Sequence, residues 1–300
     1  MDRLHAMSVF VAVADSGSLS AAGRKLRMPL PTVSRKVSDL EAHLKVKLLH
    51  RSTRAARLTA AGDTYLASAR EVLDKVNEAE KSAVGENAAP AGELAITAPI
   101  VFGRLQVLPV VTDFLRAHPD MRVRLLLGDG TLSLIEDPID LAVRIGELPD
   151  RNLVATRVGV TRVVTCASPA YLRAHGRPSA PRDLLEHACV CFTGMDRSGN
   201  WSFFSGGRTV TVPVKPRLSV NTAEAAVEAV TAGLGVGRLM AYQVDAARRA
   251  GKLKTILDGF NAPPLPISLV YLPQPSLPLK LRAFLDFAAP RLRKSIAATG

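Results

Sequence analysis

Through the N-terminal part of the chain, apolar residues recur every three or four positions, the period of helices with one buried face. Leu4, Met7, Val11 and Ala14, with Phe10 beside them, predict a first helix that stops at Ser16-Gly17. Ser18 is a good N-cap for a second helix, whose Leu19, Ala22 and Leu26 face inward. The small pair Ala21-Ala22 lets two helices cross closely. Met28-Pro29-Leu30-Pro31 predicts a turn, and Pro31 suits the first turn of a third helix, where its missing N–H needs no partner. Val33, Val37, Leu40 and Leu44 form the buried stripe of that helix, and Thr32, Ser34, Arg35, Lys36 and Ser38 stay polar on the other side. Leu48-Leu49-His50-Arg51 and Ala56-Arg57-Leu58 read as two short strands joined through Ser52-Thr53-Arg54. Thr59 then caps a long helix running to about Glu86. Its Leu66, Ala69, Leu73, Val76 and Ala83 follow the 3-4 spacing of a coiled-coil seam with acidic flanks, which predicts a dimerisation arm.

The pattern changes after Gly85 to Gly92, where Pro90 lies between alanines and predicts a hinge. From Glu93 short apolar runs alternate with helical periods. Leu94–Thr97 is a predicted strand, Leu105–His118 a helix, Val123–Leu127 a strand, Leu132–Glu136 a short helix and Ile139–Arg144 a strand. A second set covers Val163–Cys166, Tyr171–Ala174, Cys189–Phe192, Thr209–Val220 and a helix over Ala223–Ala232. Ile267–Leu272 and Leu279–Arg293 close the chain as strand then helix. Alternation of this kind predicts an α/β fold with a parallel sheet covered by helices.

Charge sharpens this division. The 300 residues carry a net +12, but residues 24–57 alone hold ten Lys/Arg against two acids, so +8. Residues 58–87 hold three against six, so −3. A basic surplus centred on two short helices and an Arg-bearing hairpin is what phosphate neutralisation requires, and it points to a DNA reader. The remaining surplus is spread over residues 88–300 and carries no second nucleic-acid reading. With 47% apolar and 22% charged residues, each unit has enough apolar side chains for a core. Three cysteines (Cys166, Cys189, Cys191) argue against a disulfide framework and for a reducing compartment. No run approaches the roughly 20 apolar residues of a membrane span. The expectation is a cytoplasmic protein without a membrane partner.

These residues also carry a resemblance. Ser18-Leu19-Ser20-Ala21-Ala22, Val33-Ser34-Arg35, Leu40-Glu41, Leu48-Leu49-His50-Arg51 and Leu58-Thr59-Ala60-Ala61-Gly62 resemble the N-terminus of LysR-type transcriptional regulators. Asp140–Gly146, Cys166–Leu172 and Ala232–Gly237 are more loosely similar to the effector domain of that family. There are departures. Leu30 stands where the family very often has a Gln reaching the bases, and Pro29 replaces the usual Ser. Lys45 occupies the place of a helix-closing Gly, Leu49 that of a Phe, and Ser133 that of an Asp. Leu30 suits contact with a thymine methyl rather than a purine edge.

The resemblance implies three parts: a winged helix-turn-helix over 1–58, a linker and dimerisation helix over 59–87, and an effector domain over 88–300. That last domain would be bilobal and α/β, of the periplasmic-binding-protein type 2. Its lobe one is expected over about 91–161 and 266–300 and its lobe two over about 162–265, with crossovers near Thr161 and Leu265. It also implies a homotetramer on operator DNA, with RNA polymerase as a further partner. Ser18, Leu30, Pro31, Thr32, Ser34, Arg35 and Lys36 are the expected DNA contacts on the helices, with Arg51 and Arg54 on the hairpin.

In such a fold a ligand lies between the lobes, where strands end and helices begin. Thr97, Ala98, Pro99 and Phe102 follow the first strand, and Asn221-Thr222 precedes the helix at Ala223. Helix starts and hydroxyls there would suit a small anionic or aromatic effector. Thr193-Gly194 and Arg144 to Gly146 are the further candidates for the cleft wall.

No residue set predicts catalysis, a metal or a cofactor. Gly233-x-Gly235-x-Gly237 follows a helix instead of a strand, which favours a helix stop over a dinucleotide loop. Cys189 and Cys191 fall on one strand face without a partner pair at ligand spacing, which favours core, with a redox switch as the lesser alternative. The competing class is an enzyme or solute-binding protein whose N-terminal helices are merely structural. The six scattered histidines give it no nucleophile motif.

Overall fold

Three capping groups set the N-terminal helices. Asp2 accepts the His5 N–H at 3.1 Å to start α1 (Arg3–Ser16), and Gly17 ends it in the left-handed region. Ser18 accepts the Ala21 N–H at 3.1 Å to start α2 (Leu19–Leu26). The turn through Pro29 leads into α3 (Leu30–Leu44), which has no side-chain cap. The computed structural model describes residues 2–51, 56–84, 89–130, 139–148, 152–195, 199–274 and 276–299. It divides into two compact units, Met1–Ala88 and Ala89–Gly300.

The first unit is built on a core of Val9, Phe10, Val13, Ala22, Val33, Val37, Leu40 and Leu48. A two-stranded wing follows, β1 (Leu49–Arg51) antiparallel to β2 (Ala56–Leu58). Thr59 closes it, donating to the Lys47 carbonyl at 2.7 Å and accepting the Gly62 N–H at 2.9 Å, and so starts α4 (Ala60–Val84). The apolar stripe of α4 divides along its length. Leu66 packs on the core of the first unit, Ala69 is buried, and Tyr65 meets Phe10 at 5.7 Å between ring centroids. The first turns of the expected seam are therefore engaged within the subunit, leaving Leu73 and Val76 as its half-buried continuation. The side chain of Ala83 lies outside the described residues.

The second unit holds two five-stranded sheets. The first comprises β3 (Gly92–Ala98), β4 (Met121–Leu127), β5 (Leu141–Ile145), β6 (Val154–Thr161) and β14 (Leu265–Tyr271), in the order β4-β3-β5-β14-β6. Between β3 and β4 runs α5 (Ile100–Phe102), a π-helical turn (Gly103–Val107) and α6 (Leu108–Ala117). The second sheet comprises β7 (Val163–Ala167), β8 (Cys189–Phe192), β11 (Pro216–Val220), β12 (Val236–Met240) and β13 (Lys254–Ile256), in the order β11-β8-β12-β7-β13. A separate hairpin joins β9 (Asn200–Ser205) and β10 (Arg208–Pro213). Around the second sheet lie α7 (Pro169–His175), α8 (Ala223–Thr231) and α9 (Ala241–Arg249). The last helix, α10 (Leu279–Thr299), packs on the first sheet through Leu281, Phe284, Ala288 and Leu292.

The sheets are mixed. β3 is parallel to β4 and β5, and β8 is parallel to β11 and β12, as the strand–helix alternation predicts. β14 runs antiparallel to β5 and β6, and β7 antiparallel to β12 and β13. The reason is topological: the chain leaves the first sheet after Thr161, enters the second at Val163 and returns at Leu265, so entering and returning strands run against the others. We refer to the two sheets with their helices as lobe one and lobe two. The stretch 209–220 falls into β10 and β11, and β6, β9, α9 and β13 are elements that hydropathy alone does not mark. The short helix expected at Leu132–Glu136 and the first part of the expected hinge, 85–88, lie outside the described residues.

Candidate nucleic-acid interface and effector cleft

α3 presents a face built for a polar groove. Val33, Val37 and Leu40 are buried, which turns Pro31 and Arg35 outward and leaves Thr32, Ser34 and Lys36 half-exposed beside them. Leu30, at the start of the helix, is 46% exposed, so its side chain is open to a partner at the edge of this face. Ser18 serves first as the cap of α2 through the Ala21 N–H. Of the two wing arginines, Arg51 is placed by its backbone alone, opposite Ala56, and Arg54 lies outside the described residues.

A residue absent from the sequence candidates fastens reader to wing. Glu41, 2% exposed, accepts the N–H groups of Leu48 and Leu49 at 3.0 and 3.2 Å on one oxygen and pairs with Lys47 at 2.9 Å on the other. The signal was available, because Glu41 flanks the stripe Val33, Val37, Leu40 and Leu44, one turn after Val37, where an acid borders the core.

In the second unit the C-terminal ends of β3 and β5 lie side by side, so Thr97, Ala98 and Pro99 share one sheet edge with Arg144 and Gly146. Thr97 is 2% exposed. Burial pulls the Arg144 guanidinium below the usual arginine value. The ends of β8 and β11 are likewise paired, which brings Thr193 and Gly194 next to Asn221 and Thr222. Thr193 donates its N–H and its hydroxyl to the Val220 carbonyl at 2.8 and 3.2 Å. Thr222 caps α8 by accepting the Ala225 N–H at 3.4 Å.

The two edges meet through Asp129. Its Oδ1 accepts the Ile100 N–H at 3.1 Å, and a Cβ placed on Gly194 would lie 3.1 Å from the Asp129 Cβ and 2.4 Å from the Phe192 ring. The severe clash lies within lobe two, against Phe192, while the contact with Asp129 of lobe one would have to give by a few tenths of an ångström. Arg104 reaches Glu224 at 3.8 Å across the same boundary, an exposed pair of small energetic weight. The donor at the start of α5, expected to await an effector carboxylate, is thus engaged by the chain's own carboxylate. The other oxygen of Asp129 is buried without a hydrogen-bond partner among the described residues, and burial, with Glu224 adding to it, raises its pKa against the opposing effect of the Ile100 N–H. Phe102 points elsewhere: it sits in the lobe-one core and meets Tyr242 edge-on at 5.4 Å, while Val101 packs into lobe two.

The glycine run and the cysteines have structural places. Gly233 follows the end of α8, and a Cβ on Gly235 would stand 2.3 Å from the Ala188 carbonyl oxygen. Cys189 and Cys191 are buried in one core cluster of lobe two and Cys166 in another. Burial pushes the thiols of Cys166 and Cys189 up to about 12, against thiolate chemistry. Among the described residues no three His, Cys, Asp or Glu side chains converge as a metal site.

An exposed reader helix with a wing, followed by a two-lobed α/β unit, defines a DNA-binding regulator carrying a ligand domain. Residues 4–63 match the family profile of the bacterial regulatory helix-turn-helix proteins of the lysR family, and residues 87–293 match that of the LysR substrate binding domain. The chain belongs to the LysR family of transcriptional regulators. It is similar to the regulator YhjC of Escherichia coli K12, with 34% identity over 96% of this chain and 97% of that protein. An HTH-type transcriptional regulator of Xanthomonas campestris pv. campestris is 35% identical over 95% of this chain and 84% of its own length. Among solved structures, CrgA, a LysR-type transcriptional regulator from Neisseria meningitidis, aligns over 96% of this chain and 98% of its own, with 31% identity and a TM-score of 0.61. The protein is a ligand-responsive transcriptional regulator and not an enzyme. Its family binds DNA and small-molecule effectors and oligomerises.

Proposed function

We propose that residues 1–58 read an operator, residues 59–87 pair subunits, and residues 88–300 sense a small effector between lobe one (about 91–161 and 266–300) and lobe two (about 162–265). Thr32, Ser34 and Arg35 face the major groove with Pro31 and Lys36 beside them. Leu30 meets a thymine methyl at its edge, Ser18 sits at the backbone, and Arg51 and Arg54 clamp the flanking phosphates. Two dimers form a tetramer on one operator in the cytoplasm, within reach of RNA polymerase. The effector lies at the strand ends formed by Thr97, Ala98, Pro99, Arg144 and Gly146 on one side and Thr193, Gly194, Asn221 and Thr222 on the other. Its closure of the cleft changes the angle between reader pairs, a shift between two populated states. An anionic effector entering there displaces Asp129 from the Ile100 N–H.

The observation that carries this reading is the outward face of α3, where Arg35 and the exposed Leu30 stand on a helix whose opposite face is buried. A mobility shift with duplex from the promoter region of the protein's own gene tests it. Binding weakens steeply as salt rises, because phosphate contacts release counterions. Arg35→Ala lowers affinity by about 1–3 kcal/mol, the worth of a base-reading arginine. Leu30→Gln moves the base preference at one position in each half-site. Absence of binding at low salt, with and without candidate effectors, refutes the proposal.

A further inference from the structure

α7 is joined to the start of β8, the opposite end of that strand from Thr193 and Gly194. Tyr171 of α7 is almost wholly buried, and its hydroxyl accepts the Ala188 N–H at 3.0 Å. The same hydroxyl lies 3.2 Å from Nδ1 of His187, which ends the 3-10 turn Pro181–Glu186. The Val236 N–H donates to the Ala188 carbonyl at 2.8 Å, so this one residue fastens α7 to the entries of both β8 and β12.

These contacts fix where the protons lie. A backbone N–H can only donate, so the phenol oxygen accepts from Ala188, and its own proton has no acceptor but Nδ1 among the described residues. Nδ1 is therefore bare, the ring neutral, and its proton on Nε2. A second proton turns Nδ1 into a donor. Two donors then face the phenol oxygen, and the phenol proton loses its acceptor. The neighbours bear on that charge from each side. From α7 the His175 ring stacks on Tyr171 at 4.4 Å between centroids, and Arg217 of β11 acts on the same tyrosine. Asp183 and Glu186 of the 3-10 turn favour a cation at His187, although Asp183 already accepts the N–H groups of Ser179 and Ala180. Cys189 of β8 is a buried thiol held in its neutral form. Burial first, and His175 after it, outweigh the two acids and pull the imidazolium of His187 below the usual histidine value.

We infer that Tyr171, His187 and Ala188 form a proton-sensitive latch in lobe two, closed while His187 is neutral and released when His187 takes a proton in mildly acid solution. The strand it holds leads at its other end to Thr193 and Gly194, so acid acts from behind on one wall of the proposed cleft. The inference does not depend on which effector that cleft takes. Its direction follows from linkage: an unfolded histidine titrates at about 6.5 and this folded one lower, so between the two values the unfolded chain holds more protons. The stability that the latch contributes is complete above about pH 7 and is lost as the pH falls through about 6.5. It falls no further once the folded ring is itself protonated.

Urea unfolding of the full chain at a series of pH values is the test, read by the fluorescence of Trp201, the one tryptophan, which is buried in the same core cluster as Tyr171 and Cys189. The midpoint of the parent falls between about pH 7 and about pH 5.5. His187→Asn offers the phenol proton a carboxamide oxygen and takes no proton, so it keeps the parent's midpoint at neutral pH and loses most of that fall. Tyr171→Phe leaves the Ala188 N–H without its acceptor and raises the unfolding constant about tenfold at neutral pH. Nitrogen-15 shifts of the parent's His187 need no variant: they show a bare Nδ1 at neutral pH and an ionisation below about 6.5. A protonated Nδ1 at neutral pH overturns the inference. So does a His187 that ionises at or above about 6.5, or a His187→Asn variant whose midpoint falls as steeply as the parent's.

Discussion

Lys45 ends α3 with φ 55°, in the left-handed region where a Cβ crowds the following carbonyl. The residue does not fit its conformation, and the sequence already marked it as standing where the family closes this helix with glycine. Lys45→Gly relieves the strain and costs some chain entropy, so the net gain is about 0.5–1 kcal/mol in urea unfolding. A loss of stability would mean that the Lys45 side chain makes compensating contacts. Single residues of this kind are legible when they break a local rule. Glu41 broke one, as an acid bordering an apolar stripe. Asp129 broke none: in Gly128-Asp129-Gly130 it reads as an ordinary turn acid, and only the fold brings it to the Ile100 N–H and to Gly194.

Among the elements, the wing depends on α3 more than its three-residue strands suggest. β1 and β2 are too short to hold themselves, and Glu41 supplies acceptors for two buried N–H groups at the start of β1. Glu41→Ala leaves both unsatisfied, a cost of about 2–4 kcal/mol in stability, and loosens the wing so that DNA affinity falls as well. Glu41→Gln keeps an oxygen for those N–H groups and removes the charge that pairs with the exposed Lys47, so it retains more of the parent's stability than Glu41→Ala. Equal behaviour of the two variants in urea unfolding and mobility shift would show that the acceptor role is idle. Elements with strong periods, such as α1 to α4 and β3, were legible from hydropathy. β6 was not, because it is an edge strand with Arg157 exposed and Gly159 packed under Ile296, so its pattern is not that of a half-buried strand. α9 buries only Val244, and β13 has three residues. Both are held by neighbours, not by their own pattern.

At the scale of the molecule, the cores determine what unfolds together. The core cluster of the first unit runs from Ala6 to Leu49, with Tyr65 and Leu66 packed against it. The clusters of the second unit contain nothing before Leu94. Two cores without a shared residue predict two unfolding transitions, one for each unit. Scanning calorimetry of the full chain separates them by ligand linkage. Operator duplex at about a hundred times its dissociation constant adds about 2.7 kcal/mol to the reader unit. In a unit of this size that raises its midpoint by about 10–20 °C. The other transition stays within about 3 °C, the shift that about 1 kcal/mol of coupling between the units would produce. The fragment 89–300 alone retains that second transition at the same temperature. A single transition that duplex moves as a whole would mean that the units fold as one, and the effector signal would then reach the reader through a shared core instead of a change in how paired readers are held.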